Sequence, residues 1–140
     1  YVKDNVKMPL AHGERVFGRW EYIRYFMDNS IQVIQPDIGN AGGITETKRI
    51  CDMAYTFDVG VQIHTCASHL LTPPSVQLEA CIPNFVIHEQ HMRSMNPSNQ
   101  ELTAKVVMPK NGYLDVTDDI GIGNEWSDKA LASEDQITLN

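Results

Sequence analysis

The sequence has few of the features that mark several large protein classes. Its three cysteines show no CxxC or zinc-like spacing, so we expect reduced, mostly packed thiols in a cytoplasmic protein. No apolar run approaches the roughly 18 residues of a membrane span, and no basic-then-apolar leader is present. Eleven Lys and Arg face 18 Asp and Glu, and the basic residues are scattered. Membrane and nucleic-acid partners are therefore disfavoured, and a small molecule or a metal ion is favoured.

What the sequence does contain is an alternation of strand-like and helix-like segments. The composition, 42% hydrophobic and 21% charged over 140 residues, is typical of one globular domain. Apolar spacing predicts helices between short apolar runs, which indicates an α/β fold with parallel strands. The predicted strands lie at 9–14, 31–35, 61–63 and 85–87, and the helices at 19–29, 45–57 and 75–81.

The pattern changes near residue 90, and we expect a boundary between 1–91 and 92–140. Residues 92–101 are interpreted as an exposed loop. Residues 103–108 alternate weakly, as a strand does, and the turn at 111–112 predicts that 113–116 pair back as a hairpin.

Four polar residues follow the predicted strands in order, namely Glu14, Asp37, His64 and Glu89. They are 23 to 27 residues apart, about one β/α unit each. Because the carboxyl ends of parallel strands meet at one edge of the sheet, we expect these side chains to converge there. Carboxylates are ligands that Mg²⁺ prefers, and a carboxylate beside an imidazole orients that ring for proton transfer.

Each of these residues also has a structural interpretation. A single strand-end carboxylate such as Glu14 is more often solvated, and a single His64 is more often structural. The ordered set favours a functional site. For Glu89 an alternative is open, because His88 or His91 could face the same mouth.

Three stretches and an isolated histidine carry a family resemblance. They are Gly13-Glu14-Arg15, the run QPDIGNAGGITE over 35–46, the run PNFVIHE over 83–89, and His64. Together they resemble the enolase superfamily, in particular the acid-sugar dehydratases of the galactonate and mannonate type within its mandelate racemase branch. The resemblance covers about residues 9–125. One departure is Ile63-His64-Thr65-Cys66, where the family often has Pro-His-x-Pro.

The resemblance implies a fold and an activity. Residues 1–91 would form the C-terminal half of a (β/α)-barrel, and 92–140 a C-terminal extension that contributes to the capping region. A complete barrel takes about 250 residues, so two further metal carboxylates would lie upstream. The implied reaction is Mg²⁺-dependent dehydration of a sugar acid. Alternatives are a racemase or epimerase, and a catalytically incomplete fragment that needs a partner chain.

The resemblance also implies roles by position. Glu14 would be a metal ligand, Asp37 and His64 the catalytic dyad, and Glu89 an acid that contacts the substrate carboxylate or its enediolate. Arg15 and His12 are the candidate substrate contacts, although Arg15 is also placed to order Glu14. The expected partners are a small sugar acid and either further copies of the chain or the missing N-terminal half.

Overall fold

A short parallel sheet lies at the centre of the molecule. The computed structural model describes residues 2–66 and 68–133. Its strands follow one another in the sheet in chain order: β1 (Ala11–His12), β2 (Val33–Ile34) and β3 (Gly60–Val61). All pairs are parallel. The predicted α/β class, the C-terminal half of a (β/α)-barrel with parallel strands, is confirmed, although each strand is shorter than predicted.

The predicted fourth strand is reduced to a single bridge. Phe85 pairs in parallel with Val61, and two backbone hydrogen bonds fix it there: Val61 N to Asn84 O at 2.8 Å and Val86 N to Val61 O at 2.9 Å. The position therefore continues the sheet beyond β3, but a regular strand over 85–87 is not formed.

Five α-helices and two 3₁₀ helices are present in the described residues. The α-helices are α1 (Gly18–Met27), α2 (Gly43–Thr56), α3 (Thr72–Ala80), α4 (Pro97–Gln100) and α5 (Asp128–Ser133), and the 3₁₀ helices are Lys3–Asn5 and Met92–Met95. The predicted exposed loop over 92–101 is wrong, because it contains α4 and a 3₁₀ helix. The side chain of Asn96 caps α4 by accepting from Ser98 N at 3.1 Å, and Pro97 supplies the first turn.

The core lies between the sheet and helices α1 and α2. One cluster of buried side chains joins the three elements, including Tyr22, Ile34, Ile50, Val61 and Ile63, each fully buried. Phe26 of α1 stacks on Phe57, just after α2, with ring centroids 5.5 Å apart. This packing fixes the carboxyl ends of the strands relative to the helices.

The predicted hairpin near the end of the chain is wrong. Lys110 and Tyr113 exchange two backbone hydrogen bonds at the turn, but no ladder extends from them, and Thr103 bridges to Trp126 instead. The apolar residues of this weakly alternating stretch bury little surface: Val106 is 48% exposed and Tyr113 is 78% exposed. A two-stranded hairpin without a packed face is marginal in water.

Two further points bear on the placement of the chain. No helix of the described ranges is long and apolar enough to cross a bilayer. The boundary at 91/92 and the contribution of 92–140 to a capping region stay predictions.

Candidate active site

Asp37 and His64 are backbone partners just beyond the carboxyl ends of β2 and β3. They form a parallel bridge, and His64 N donates to Pro36 O at 3.0 Å. Register partners on neighbouring strands project their side chains to the same face of a sheet. The two side chains accordingly meet, with His64 Nδ1 at 2.7 Å from Asp37 Oδ2.

Both oxygens of the Asp37 carboxylate take part in hydrogen bonds. Its Oδ1 accepts from the backbone N–H of Gly39 at 2.7 Å and of Asn40 at 3.2 Å, and the residue is 4% exposed. A carboxylate oxygen accepts, so the proton on His64 is assigned to Nδ1 from this hydrogen-bond network. Asp37 thus fixes the orientation of the imidazole and keeps a proton on Nδ1.

The other ring nitrogen of His64 faces two further carboxylates. Nε2 lies 3.0 Å from Glu14 Oε2 and 3.8 Å from Glu89 Oε1. The Glu14 side chain is 51% exposed and that of Glu89 is 23% exposed. The structure therefore brings together all four strand-end residues that the sequence singled out, with His64 at the centre.

Gly13 explains why glycine precedes Glu14. Its φ is +146°, and a Cβ there would lie 2.7 Å from Tyr22 Oη and 2.9 Å from Gln35 N. The Tyr22 hydroxyl fills this space and donates to Gly13 O at 2.7 Å. Burial raises the pKa of Tyr22, so this hydroxyl stays a donor. The close approach of β1, β2 and α1 is what places Glu14 at the mouth.

A cavity of about 380 Å³ opens at this cluster. Arg15 is part of its lining, and Arg15 Nε lies 3.9 Å from Glu14 Oε1, although its side chain is 85% exposed. The structure does not bring His12 to this lining. The ring of His12 packs edge-on against Tyr25, with ring centroids 5.7 Å apart.

Sequence reasoning did not assign Asn40, Cys66 and Arg93 to the site, although they line the cavity together with His91, which it had weighed as an alternative to Glu89. All of these lining residues stand within four residues of a predicted site residue, and that proximity is the one signal available. Asn40 also links two strand ends, since its Nδ2 donates to Glu14 O at 3.4 Å.

Glu46, the last residue of the glycine-rich run, has a structural contact rather than a place in the cavity. Its Oε2 pairs with Arg19 Nη1 at 2.6 Å and with Arg49 Nη1 at 3.5 Å. The hydrogen bond from the Arg19 backbone N–H and the nearby guanidinium charges lower the pKa of Glu46. Glu46 therefore joins α1 to α2.

The described residues fit a Mg²⁺ site in donor type but not in number. Mg²⁺ takes about six oxygen ligands, usually including carboxylates and waters. Glu14 offers one accessible carboxylate. Within 2–66 and 68–133, no group of three or more His, Cys, Asp or Glu side chains is arranged to hold a metal ion. Glu14 is thus at most one ligand of a set that these residues do not complete.

The fold and this site define a class: an α/β chain with an acid–histidine cluster at the carboxyl ends of parallel strands. The model of the family described as "Enolase C-terminal domain-like" matches residues 1–130. The chain therefore belongs to the enolase C-terminal domain-like family, and the predicted resemblance is confirmed.

Known proteins similar to the chain include two D-galactonate dehydratases and one solved structure. The D-galactonate dehydratase of Pectobacterium atrosepticum is 36% identical over 61% of this chain and 22% of its own length. That of Cronobacter sakazakii is 29% identical over 92% of this chain and 35% of its own length. A member of the enolase superfamily from Salmonella Typhimurium superposes with a TM-score of 0.95, at 42% identity, over 99% of this chain and 36% of that protein. The chain spans about a fifth to a third of the length of these proteins.

Proposed function

We propose that this chain is the C-terminal part of a Mg²⁺-dependent acid-sugar dehydratase. The observation that carries the proposal is the His64 ring, with Nδ1 bonded to the buried Asp37 and Nε2 facing Glu14 at the cavity. The named activity of the D-galactonate dehydratase relatives supports the substrate class.

The reaction we propose is redox-neutral. The proton α to the substrate carboxylate is removed, and its electron pair forms the enediolate. The β C–O bond then breaks, the hydroxyl leaves as water after protonation, and the enol tautomerises to a 2-keto-3-deoxy sugar acid. His64 exchanges a proton through Nε2, while Asp37 keeps the ring in the required tautomer. For this step Nε2 must exchange its contact with Glu14 for one with substrate.

Proton transfer alone does not account for such a reaction. A positioned acid or base contributes roughly 10² to 10⁴ in rate, about 3 to 5 kcal/mol. The remaining stabilisation must act on the charge that develops on the substrate carboxylate. We assign Glu14 to hold Mg²⁺, which would neutralise that charge when bound. In its protonated form, Glu89 would donate a hydrogen bond to the same oxygens.

The proposal includes a partner for the open sheet. Phe85, Val86 and Ile87 are 43%, 54% and 58% exposed at the edge beyond β3. Exposed apolar residues on an unpaired edge favour association with another chain. We therefore propose association with an N-terminal barrel half, or with further copies of this chain, and this partner would supply the remaining metal ligands.

We also propose a cytoplasmic location. Cys51, Cys66 and Cys81 are free thiols, and burial raises the pKa of Cys51 to about 12. Free thiols are typical of proteins in a reducing compartment.

The test is a chimera in which this chain replaces the matched segment of the Cronobacter sakazakii D-galactonate dehydratase. D-galactonate is incubated with the chimera and Mg²⁺ in D₂O, and the products are followed by NMR. A 2-keto-3-deoxy product whose formation is lost in His64→Asn supports the proposal. Deuterium exchange at the α-carbon without that product favours the racemase or epimerase alternative. A folded chimera that gives neither contradicts the assignment of His64.

A further inference from the structure

A second carboxylate–histidine pair lies next to the candidate site. Glu79 Oε2 is 2.8 Å from His88 Nδ1, and the two side chains are 5% and 14% exposed. Glu79 is the penultimate residue of α3, and His88 follows the bridge residue Phe85. This pair therefore fastens the segment after the sheet edge to a helix in the interior.

The charge states of the pair match one another. Burial raises the pKa of the Glu79 carboxyl. Burial opposes the charged form of His88, but the hydrogen bond to Glu79 and the charge of that carboxyl raise the His88 pKa overall. The 2.8 Å contact requires one proton between Nδ1 and Oε2, and a pair that shares one proton in this way carries no net charge when Nε2 is also protonated. A neutral, hydrogen-bonded pair avoids the large cost of an isolated buried charge.

The pair continues into a chain of hydrogen bonds. Ser94 Oγ donates to His91 O at 2.6 Å, so it must accept from Gln90 Nε2, which lies at 2.7 Å. This fixes the amide of Gln90 with its oxygen towards His88 Nε2, at 3.2 Å. Because an amide oxygen accepts only, His88 must carry a proton on Nε2.

The far end of this chain is also anchored. Ser94 is 6% exposed, and its carbonyl oxygen lies 2.8 Å from Nε2 of the fully buried His69. Gln100 Nε2 donates to the same oxygen at 3.3 Å. The segment from 88 to 94 is thus held at both ends by buried groups.

The residues between these anchors face the candidate site. Glu89 approaches His64 Nε2 at 3.8 Å, and His91 and Arg93 line the cavity. Arg93 N donates to His91 Nδ1 at 3.1 Å, so the His91 proton is on Nε2 and that nitrogen is a donor. Neither Glu79 nor His88 lines this cavity, and any effect they have on it must pass through these residues.

We propose that the hydrogen-bonded chain Glu79–His88–Gln90–Ser94 is a positioning network that holds Glu89 and His91 in place at the cavity that contains His64. Glu79 and His88 are positioning residues in this account. The interpretation of the cavity as an active site rests on the proposed function. The hydrogen-bond network itself can be tested without measuring enzyme activity.

The test is the long-range ¹H–¹⁵N spectrum of the histidine rings in the ¹⁵N-labelled 140-residue chain. We expect protons on Nε2 of both His88 and His91. In Glu79→Ala, the ring signals of His91 and the backbone amide signals of Glu89 and His91 should shift. In Glu79→Gln they should return, because the new amide can donate to His88 Nδ1. The control Glu101→Ala removes an exposed partner of Lys129 and should leave these signals unchanged.

A second variant covers the case in which Glu79→Ala does not fold. Ser94→Ala removes the hydroxyl that joins Gln90 to His91, so the His91 signals should shift while the bond between His88 and Glu79 persists. A neutral His88 ring without a proton on Nε2 would overturn the proposal. So would unchanged Glu89 and His91 signals in a folded Glu79→Ala, or in Ser94→Ala. These NMR signals do not depend on dehydratase activity, so an inactive chimera would contradict the proposed function without contradicting the network.

Discussion

The strand-end region over 9–66 and the late segment over 101–127 contrast in how their structure is held. In the first, register and a buried core determine where Asp37 and His64 lie, with Ile34, Val61 and Ile63 fully buried beneath them. In the second, no strand ladder forms, and apolar residues such as Ile120, 99% exposed, are not buried. The candidate site therefore stands on this chain's own core, whereas the late segment buries little of its apolar surface.

The largest effect should follow from breaking the dyad. In the chimera described above, Asp37→Asn should lower kcat by about 10⁴-fold, because an amide favours the wrong imidazole tautomer. Asp115→Asn, an exposed aspartate of the late segment, is the matched control and should leave kcat within a factor of about two. Steady-state kinetics with D-galactonate provide the measurement. Equal losses in the two variants would remove the distinction between the regions.

Core truncation should separate the regions by stability. Ile34→Ala should lower the free energy of unfolding by about 4 kcal/mol, since it leaves a cavity at a fully buried position of β2. Ile120→Ala should change it by less than about 0.5 kcal/mol. Urea denaturation of the purified chain measures both, and comparable losses would contradict the account.

Two glycines with positive φ offer a finer comparison. Gly13→Ala should cost about 3 kcal/mol, because its Cβ would collide with Tyr22 Oη and Gln35 N. A Cβ at Gly112, whose φ is +83°, would meet no atom within 4 Å. Gly112→Ala should therefore lower the free energy of unfolding only through backbone strain, by about 1 to 2 kcal/mol. Thermal unfolding checks the order. A larger loss for Gly112→Ala would show that the close approach at Gly13 is not the constraint.

The smallest effects concern pH. Because the His88 pKa is raised above 6.5, the stability it contributes is fully present below that pH and is lost as pH rises through the raised value. The buried Glu79, whose pKa is raised above 4.5, acts in the same direction. In the late segment, the hydrogen bond and charge of Lys105 lower the Asp119 pKa below 3.8, so that contribution is lost as pH falls.

Denaturation curves between about pH 2 and pH 9 would measure these trends, because the Asp119 contribution is lost only below pH 3.8. Glu79→Gln should flatten the decline on the alkaline side, whereas Lys105→Ala should act on the acid side alone and only weakly, because both side chains of that pair are exposed. A Glu79→Gln curve that keeps the wild-type slope would show that the pair is not the group responsible.

Sequence patterns predicted the structure correctly where local residue preferences and tertiary packing favour the same conformation. The strand ends at Asp37 and His64 could be predicted, because an apolar run followed by a polar residue and a helix start repeats with β/α spacing. The shortness of the strands could not, since strand length depends on pairing across the sheet. Glu79 was unrecognisable as a site neighbour because it is one polar residue of a helix, and only packing brings it to His88.

The late segment shows the opposite case. Weak alternation over 103–108 predicted a strand that has no partner ladder, and the Thr103–Trp126 bridge joins residues too far apart in sequence for any local pattern to reveal. The helix α4 was missed although Asn96 and Pro97 form a recognisable cap. Local signals there existed, but they were outweighed by the polar character of the stretch.

Native-state hydrogen exchange of the purified chain tests the central claim most directly, namely that this chain preforms the Asp37–His64 pair. The account predicts that the His64 amide, bonded to Pro36 O at 3.0 Å, exchanges as slowly as those of Val61 and Gln62, through global unfolding only. Amides at 114–122 should exchange much faster. A His64 amide that exchanges as fast as those of the late segment would contradict a preformed site.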